Sequence, residues 1–105
     1  MPGSDPDLSP ADLMAGLSNG SLALIDVREA HEFAAGHIPG SQDMPLSSFD
    51  PYELPSEKQV VLSCQAGKRS TIALDRAIGA GKNNCRQFLP GFAGWLRAGL
   101  SVETQ

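Results

Sequence analysis

Two apolar runs constrain the fold of this 105-residue chain more than any other feature. Leu22-Ala23-Leu24-Ile25-Asp26-Val27 and Gln59-Val60-Val61-Leu62-Ser63 are continuous rather than alternating. A strand that is apolar at consecutive positions needs cover on both faces, which a parallel sheet flanked by helices supplies. Helical patterns stand around both runs. Ser9-Pro10-Ala11-Asp12 reads as a helix start, with Ser9 as N-cap, Pro10 at the first helical position and Asp12 at the positive end of the dipole. That short helix places Leu13, Met14 and Leu17 on one side and ends at Asn19-Gly20.

Arg28 to Ala35 reads as a second short helix closed by Gly36, followed by a His37-Ile38-Pro39-Gly40-Ser41 turn. Asp43 to Leu46 is a short strand whose Pro45 puts it at an edge or strand end. Phe49 to Pro55 is a surface connection with room for one helical turn. Ser70 to Ala80 is the clearest helix: Ile72, Ala73, Leu74, Ala77 and Ile78 give it a wide apolar face, and Gly79 and Gly81 end it. Asn84 to Leu89 is a weaker strand, with Cys85, Gln87 and Leu89 on one face. Phe92, Trp95 and Leu96 fall on a last short helix ending at Gly99, and the two aromatic residues read as core. Strands thus alternate with helices, which predicts an α/β layered domain with a mostly parallel sheet.

The length suits one domain, residues 1–105, with residues 1–7 as a loose arm. No apolar run approaches the roughly 18 residues of a membrane span, and the opening MPGSDPDLSP lacks a basic segment followed by an apolar one. The expectation is a soluble, cytoplasmic, monomeric protein; a trimmed periplasmic form would read the same. Net charge is −4 and the pI about 4.9, which gives no general electrostatic reason to bind nucleic acid or an anionic membrane. The distribution is more telling than the sum. Residues 1–57 hold ten carboxylates and one base, Arg28, whereas residues 58–105 hold two carboxylates and seven bases. The bland reading is two faces of opposite sign; the functional one is that the half containing Cys64 attracts small anions. Two cysteines are too few for a disulfide scaffold, and neither is spaced with His31 or His37 as a zinc site requires. Both read as thiols in a reducing compartment, Cys64 reactive and Cys85 structural.

The candidate site is Val60 to Ser70, VVLSCQAGKRS. Ligands of an open parallel sheet bind where the strands' carboxyl ends meet the loops. Cys64 lies at the carboxyl end of one strand, and Asp26-Val27-Arg28 at that of the other, so Arg28 and Cys64 share one edge if the strands are parallel. A thiol attacks as its thiolate, whose pKa falls near cations or a helix N-terminus. Lys68 and Arg69 supply the cations. The N–H groups of Ala66, Gly67, Lys68, Arg69 and Ser70 can turn inward around the sulfur, and Gly67 has no side chain to obstruct that turn.

These residues resemble the rhodanese family of sulfurtransferases. CQAGKRS is similar to that family's C-x-x-G-x-R-[ST] active-site loop, LIDVREAHEFAAGHIPGS to its Asp-Val-Arg strand and Gly-His-Ile-Pro-Gly turn, and FLPGFAGW to its C-terminal Leu-x-Gly-Gly-x-x-x-Trp segment. The match runs over about residues 8–100 in the family's order. It implies a rhodanese-like three-layer α/β/α domain with a mostly parallel central sheet of about five strands. It also implies that Cys64 takes a sulfane sulfur from thiosulfate or a related donor, forms a persulfide, and passes the sulfur to cyanide or a thiol, the thiol of an acceptor protein included. Gln65, Ala66, Gly67, Lys68, Arg69 and Ser70 would form the donor-binding loop, with Arg69 holding the anion and Lys68 adding charge at the rim. Asp26 and Arg28 would support it, as an ion pair or through the backbone after Gly36. No cofactor and no metal is implied, and the matching His37 belongs to a structural turn.

Three positions depart from the family pattern: Gln65 stands where many members have a base, Pro90 replaces the first glycine of the C-terminal pair, and Asp43 replaces a frequent asparagine. Two other functions compete. The related dual-specificity phosphatases and arsenate reductases use a C-x5-R loop, whose extra residue makes room for a tetrahedral phosphate, whereas Cys64 to Arg69 is C-x4-R. Non-catalytic rhodanese modules that serve docking or regulation commonly lack the cysteine that this chain retains.

Overall fold

The computed structural model describes residues 8–105; the expected arm at residues 1–7 lies outside them. Four parallel strands, β1 (Leu22–Asp26), β2 (Gln42–Asp43), β3 (Gln59–Ser63) and β4 (Cys85–Gln87), lie in the order β2-β1-β3-β4. Helices α1 (Pro10–Asn19), α2 (Ala30–Ala35), α3 (Lys68–Gly79) and α4 (Gly91–Arg97) cover them, and single 3-10 turns occupy Leu46–Ser48 and Pro51–Glu53. The register pairs Leu24 with Val61 and Asp26 with Ser63, which brings the carboxyl ends of β1 and β3 level.

The continuous apolar runs are explained by two cores, one on each face. Leu22 and Leu24 of β1 and Val61 of β3 pack with Leu13, Ile38, Phe88, Phe92 and Trp95. Their neighbours Ile25, Val60 and Leu62 point the other way, into Ala73, Leu74, Ala77, Phe49 and Leu54. Alternate residues of one strand therefore feed opposite layers, so neither parity can be polar.

Among the described residues the sheet has four strands rather than about five. The C-terminal segment adds only a single antiparallel bridge, His37 to Glu103, with N···O distances of 2.9 and 3.0 Å. The strand expected at Asp43 to Leu46 is the shorter Gln42–Asp43, because Pro45 has no N–H to continue a ladder; Met44 and Leu46 on either side still donate to Asp26 O and Val27 O at 2.9 and 3.0 Å. Likewise the strand expected from Asn84 to Leu89 narrows to Cys85–Gln87 before Pro90 turns the chain.

The capping chemistry of α1 is complete: Asp12 N–H donates to Ser9 Oγ at 3.1 Å, and Ser9 N–H donates to Asp12 Oδ2 at 2.9 Å. Of its expected apolar side only Leu13 is fully buried, while Met14 is exposed. The face of α3 is also narrower than its sequence suggests. Ala73, Leu74 and Ala77 are buried, but Ile72 and Ile78 are 38% and 44% exposed. On α4, Phe92 and Trp95 enter the core, Leu96 stays outside, and Trp95 Nε1–H donates to Ser101 O at 2.7 Å. Among the described residues no helix is long and apolar enough to cross a membrane.

The contrast between inner and outer aliphatic residues is testable. Leu24→Ala is expected to cost about 2–5 kcal/mol of unfolding free energy, through lost transfer energy and a cavity. Ile72→Ala is expected to cost less than about 0.5 kcal/mol. Urea unfolding of both variants measures the difference directly.

Candidate active site

Strand β3 delivers Cys64 to the carboxyl edge of the sheet, and the chain turns through Gln65, Ala66 and Gly67 into α3. Gly67 is the N-cap and adopts φ +96°, a left-handed backbone that favours glycine. A Cβ there would also lie 3.1 Å from Leu89 O. This turn brings Gly67 N–H to 3.1 Å from Cys64 Sγ, and the Ser70 hydroxyl oxygen lies 3.5 Å from the same sulfur. Helix α3 begins at Lys68, two residues before the expected start, so Lys68 and Arg69 belong to its first turn. Burial pushes the Cys64 thiol up, since its residue is 1% exposed. Hydrogen bonds from the Ser70 hydroxyl and from the N–H groups of Ser70, Ala66 and Gly67 more than offset that, and the net shift is downward.

The loop is held from its other side by α4. Phe92 N–H donates to Cys64 O at 2.8 Å and Ala93 N–H to Gln65 O at 3.0 Å. These are N–H groups of a helix's first turn, which have no partner within the helix. The close approach requires Gly91, whose φ is +63° and whose added Cβ would meet Cys64 O at 2.5 Å and Gln65 O at 2.6 Å. Pro90 precedes it at φ −60°, the value its ring prefers, so its presence in place of glycine causes no strain.

The cations near the loop are mostly engaged. Arg28 is buried and makes a salt bridge with Asp26, Nη2 to Oδ2 at 2.9 Å; its Nη2 also donates to Gly36 O at 2.7 Å. The guanidinium lies 4.4 Å from the Phe92 ring centroid, and its Nη1 reaches Gln65 Oε1 at 3.4 Å. Arg69 reaches α2, where Glu32 accepts from Nη1 at 2.6 Å and from Nη2 at 3.1 Å. The guanidinium holds the Glu32 carboxyl down to about 2 from 4.5. Lys68 is exposed and forms no ion pair among the described residues. An open cleft of about 410 Å3 leads to this edge, lined by Arg28, Glu32, Gly36, Gln65, Phe92 and Leu96.

Other titratable groups stand apart. Cys85 is buried at the opposite end of the sheet, and burial pushes its thiol up. His37 is buried, stacks on Phe33 at 3.7 Å between ring centroids, and its Nδ1 lies 2.8 Å from Phe33 O. Asp43, beside the end of β1, has a buried Oδ1 without a partner, and its carboxyl is raised by burial and by the neighbouring charges of Asp26 and Glu29. Among the described residues no group of three His, Cys, Asp or Glu side chains is placed to hold a metal ion.

Comparison with known proteins accords with this architecture. The rhodanese-like domain model matches residues 9–98, and the chain belongs to that family. A human thiosulfate:glutathione sulfurtransferase is 30% identical over 107 residues, covering 87% of this chain and 93% of the relative. An uncharacterized protein of Synechocystis is 35% identical over 101 residues, which is 93% of this chain but 56% of that protein's length. Among solved structures, a rhodanese-related protein of Thermoplasma volcanium superposes with TM-score 0.78 at 26% identity, covering 90% of this chain and 94% of that one. A human single-domain sulfurtransferase gives 0.76 at 28%, covering 89% and 96%.

Glu32 and the contacts of Gln87 escape the sequence reading, because their partners stand 37 and 17 positions away. Gly91→Ala is expected to destabilise the fold by more than the ~1–2 kcal/mol of a left-handed alanine, since the new Cβ also meets backbone oxygens; thermal unfolding measures this. The Glu32 pKa is lowered on folding, so its pair with Arg69 adds stability above about pH 4.5 that is lost as pH falls toward 2. Both partners are about a quarter to a third exposed, and solvent keeps the effect small. Glu32→Gln is therefore expected to be slightly less stable than the parent at neutral pH, with the difference closing in acid; urea midpoints across that range test it.

Proposed function

We propose that the chain is a sulfurtransferase that carries sulfane sulfur as a persulfide on Cys64. The observation that supports this best is the geometry at the sulfur: Gly67 N–H lies 3.1 Å from Cys64 Sγ and the Ser70 hydroxyl oxygen 3.5 Å from it, at the start of α3. Such contacts favour the thiolate over the thiol and suit a terminal persulfide anion equally well.

The reaction divides into two displacements at sulfur. The Cys64 thiolate attacks the outer sulfur of thiosulfate; a new S–S bond forms as the donor's S–S bond breaks, and sulfite leaves with the electron pair. An acceptor, a thiolate or cyanide, then attacks the outer sulfur of the persulfide, and Cys64 leaves as thiolate, its original state. No net redox partner is needed, and ping-pong kinetics are expected. The donor would enter by the cleft beside Gln65 and Phe92; Lys68 of the same loop has no ion-pair partner among the described residues, and Arg69 becomes available only by release from Glu32. A C-x4-R loop leaves less room on the sulfur than C-x5-R, which favours sulfur over a phosphoryl group.

Mass spectrometry after treatment with thiosulfate tests the proposal. Cys64 is expected to gain the mass of one sulfur atom, with no gain in Cys64→Ser. A folded protein that gains none would instead fit a docking module, and aryl phosphate hydrolysis abolished by Cys64→Ser would fit the phosphatase reading.

A further inference from the structure

The mechanism above uses the Ser70 hydroxyl but leaves unexplained why a glutamine side chain is buried behind it. Ser70 is 0% exposed and Gln87, on β4, is 3% exposed. Gln87 Oε1 lies 2.8 Å from Ser70 Oγ and 3.2 Å from Thr71 Oγ1. Ser70 Oγ has one proton and three acceptors around it: Gln87 Oε1, Gly67 O at 3.2 Å and Cys64 Sγ at 3.5 Å. Thr71 Oγ1 has its own short acceptor, Gly67 O at 2.7 Å.

Proton counting then links the amide to the state of the sulfur. With Cys64 as a thiol, S–H donates to Ser70 Oγ and the Ser70 O–H donates to Gln87 Oε1, as the distances indicate. When Cys64 loses its proton to solvent, the sulfur becomes an acceptor, and the Ser70 O–H must turn toward it. Gln87 Oε1 then faces two hydroxyl oxygens that offer it no proton. Turning the amide by half a revolution repairs this, because Nε2 can donate one N–H to Ser70 Oγ and the other to Thr71 Oγ1. Oxygen and nitrogen of an amide occupy nearly the same positions, so the turn needs no other movement.

We propose that Gln87 is a positioning residue for the nucleophile: its amide directs the single Ser70 hydroxyl proton, accepting it while Cys64 is a thiol and releasing it to the sulfur, by turning, when Cys64 is a thiolate or persulfide. The inference rests on the sulfur-transfer reading for its purpose, but its evidence is the hydrogen-bond geometry alone. The charged groups around the loop are Lys68 and Arg69 on α3, Asp26 and Arg28 at the end of β1, and Glu32 on α2. None is altered by changing Gln87.

The test is the pH dependence of Cys64 alkylation by iodoacetamide, read on the Cys64 peptide so that Cys85 does not interfere. It needs no sulfur donor, so its result is independent of whether thiosulfate loads Cys64. Gln87→Glu, once ionised, can accept but not donate and adds a like charge beside the sulfur; it is expected to raise the alkylation midpoint by about one pH unit or more, about a tenfold loss of thiolate below the midpoint, and the uncharged Gln87→Met separates the hydrogen-bond effect from the charge. Gln87→Met, of similar volume, is expected to raise it less in the parent and not at all in a Ser70→Ala background, because the effect passes through Ser70. An unchanged midpoint in Gln87→Glu, or an equal shift from Gln87→Met with and without Ser70, overturns the proposal. A measurement on the unaltered protein covers variants that fail to fold: the side-chain amide resonances of Gln87 are expected to titrate with the Cys64 midpoint. Resonances that stay fixed through it also overturn the proposal.

Discussion

The structure of the loop depends on two hydrogen bonds that come from behind it. Phe92 and Ala93 donate their N–H groups to the carbonyls of Cys64 and Gln65. With those oxygens drawn back, the following peptide groups are free to turn their N–H ends toward the sulfur. Burial makes any unpaired carbonyl there costly, so the two bonds fix the sense of the turn as well as its position. Gly91 is what allows the backbones to meet, and the Leu-Pro-Gly segment of the sequence is best understood as a support of the cysteine loop rather than as a separate feature.

Legibility of the fold followed how local each cause was. The two buried strands were plain because a parallel sheet with two cores leaves its mark on consecutive residues. Their carboxyl ends, and with them the placing of Cys64 and Asp26 on one edge, followed from parallel pairing. The expected strand around Pro45 was too long because the proline interrupts the ladder without ending the contact. Ile72 and Ile78 widen the apolar face in the sequence because helical periodicity counts apolar side chains, whereas the width of the buried face is set by the sheet it meets. The start of α3 was placed late because Gly67, in a left-handed conformation, caps it without any side-chain signal.

The partners of the candidate site were the least legible part. The sequence pattern placed Arg69 as the anion holder, but an arginine's reach lets it choose among carboxylates contributed by other elements, and here it meets Glu32. The charge imbalance between the two halves of the chain is partly resolved by that pairing across the α2–α3 seam. Of the loop's two cations, Arg69 is therefore engaged internally, and Lys68 at the rim has no ion-pair partner among the described residues. Gln87 was readable only as one member of a strand face; its contact with Ser70 depends on β4 lying beside β3.

Parallel pairing also decides how the two thiols can deal with oxidation. Cys85 is paired with Val60 at the beginning of β3, and Cys64 lies four residues farther along the same strand. At the rise of a strand this separates the Cα atoms of the two cysteines by ~13 Å along the sheet, far beyond the ~7 Å between Cα atoms that a disulfide spans. Cys85 is therefore no resolving thiol for Cys64 within the fold. Once Cys64 is oxidised to a sulfenic acid or joined to a small thiol, its recovery depends on a reductant from outside, and the reducing capacity of the surroundings sets how long the protein stays in service.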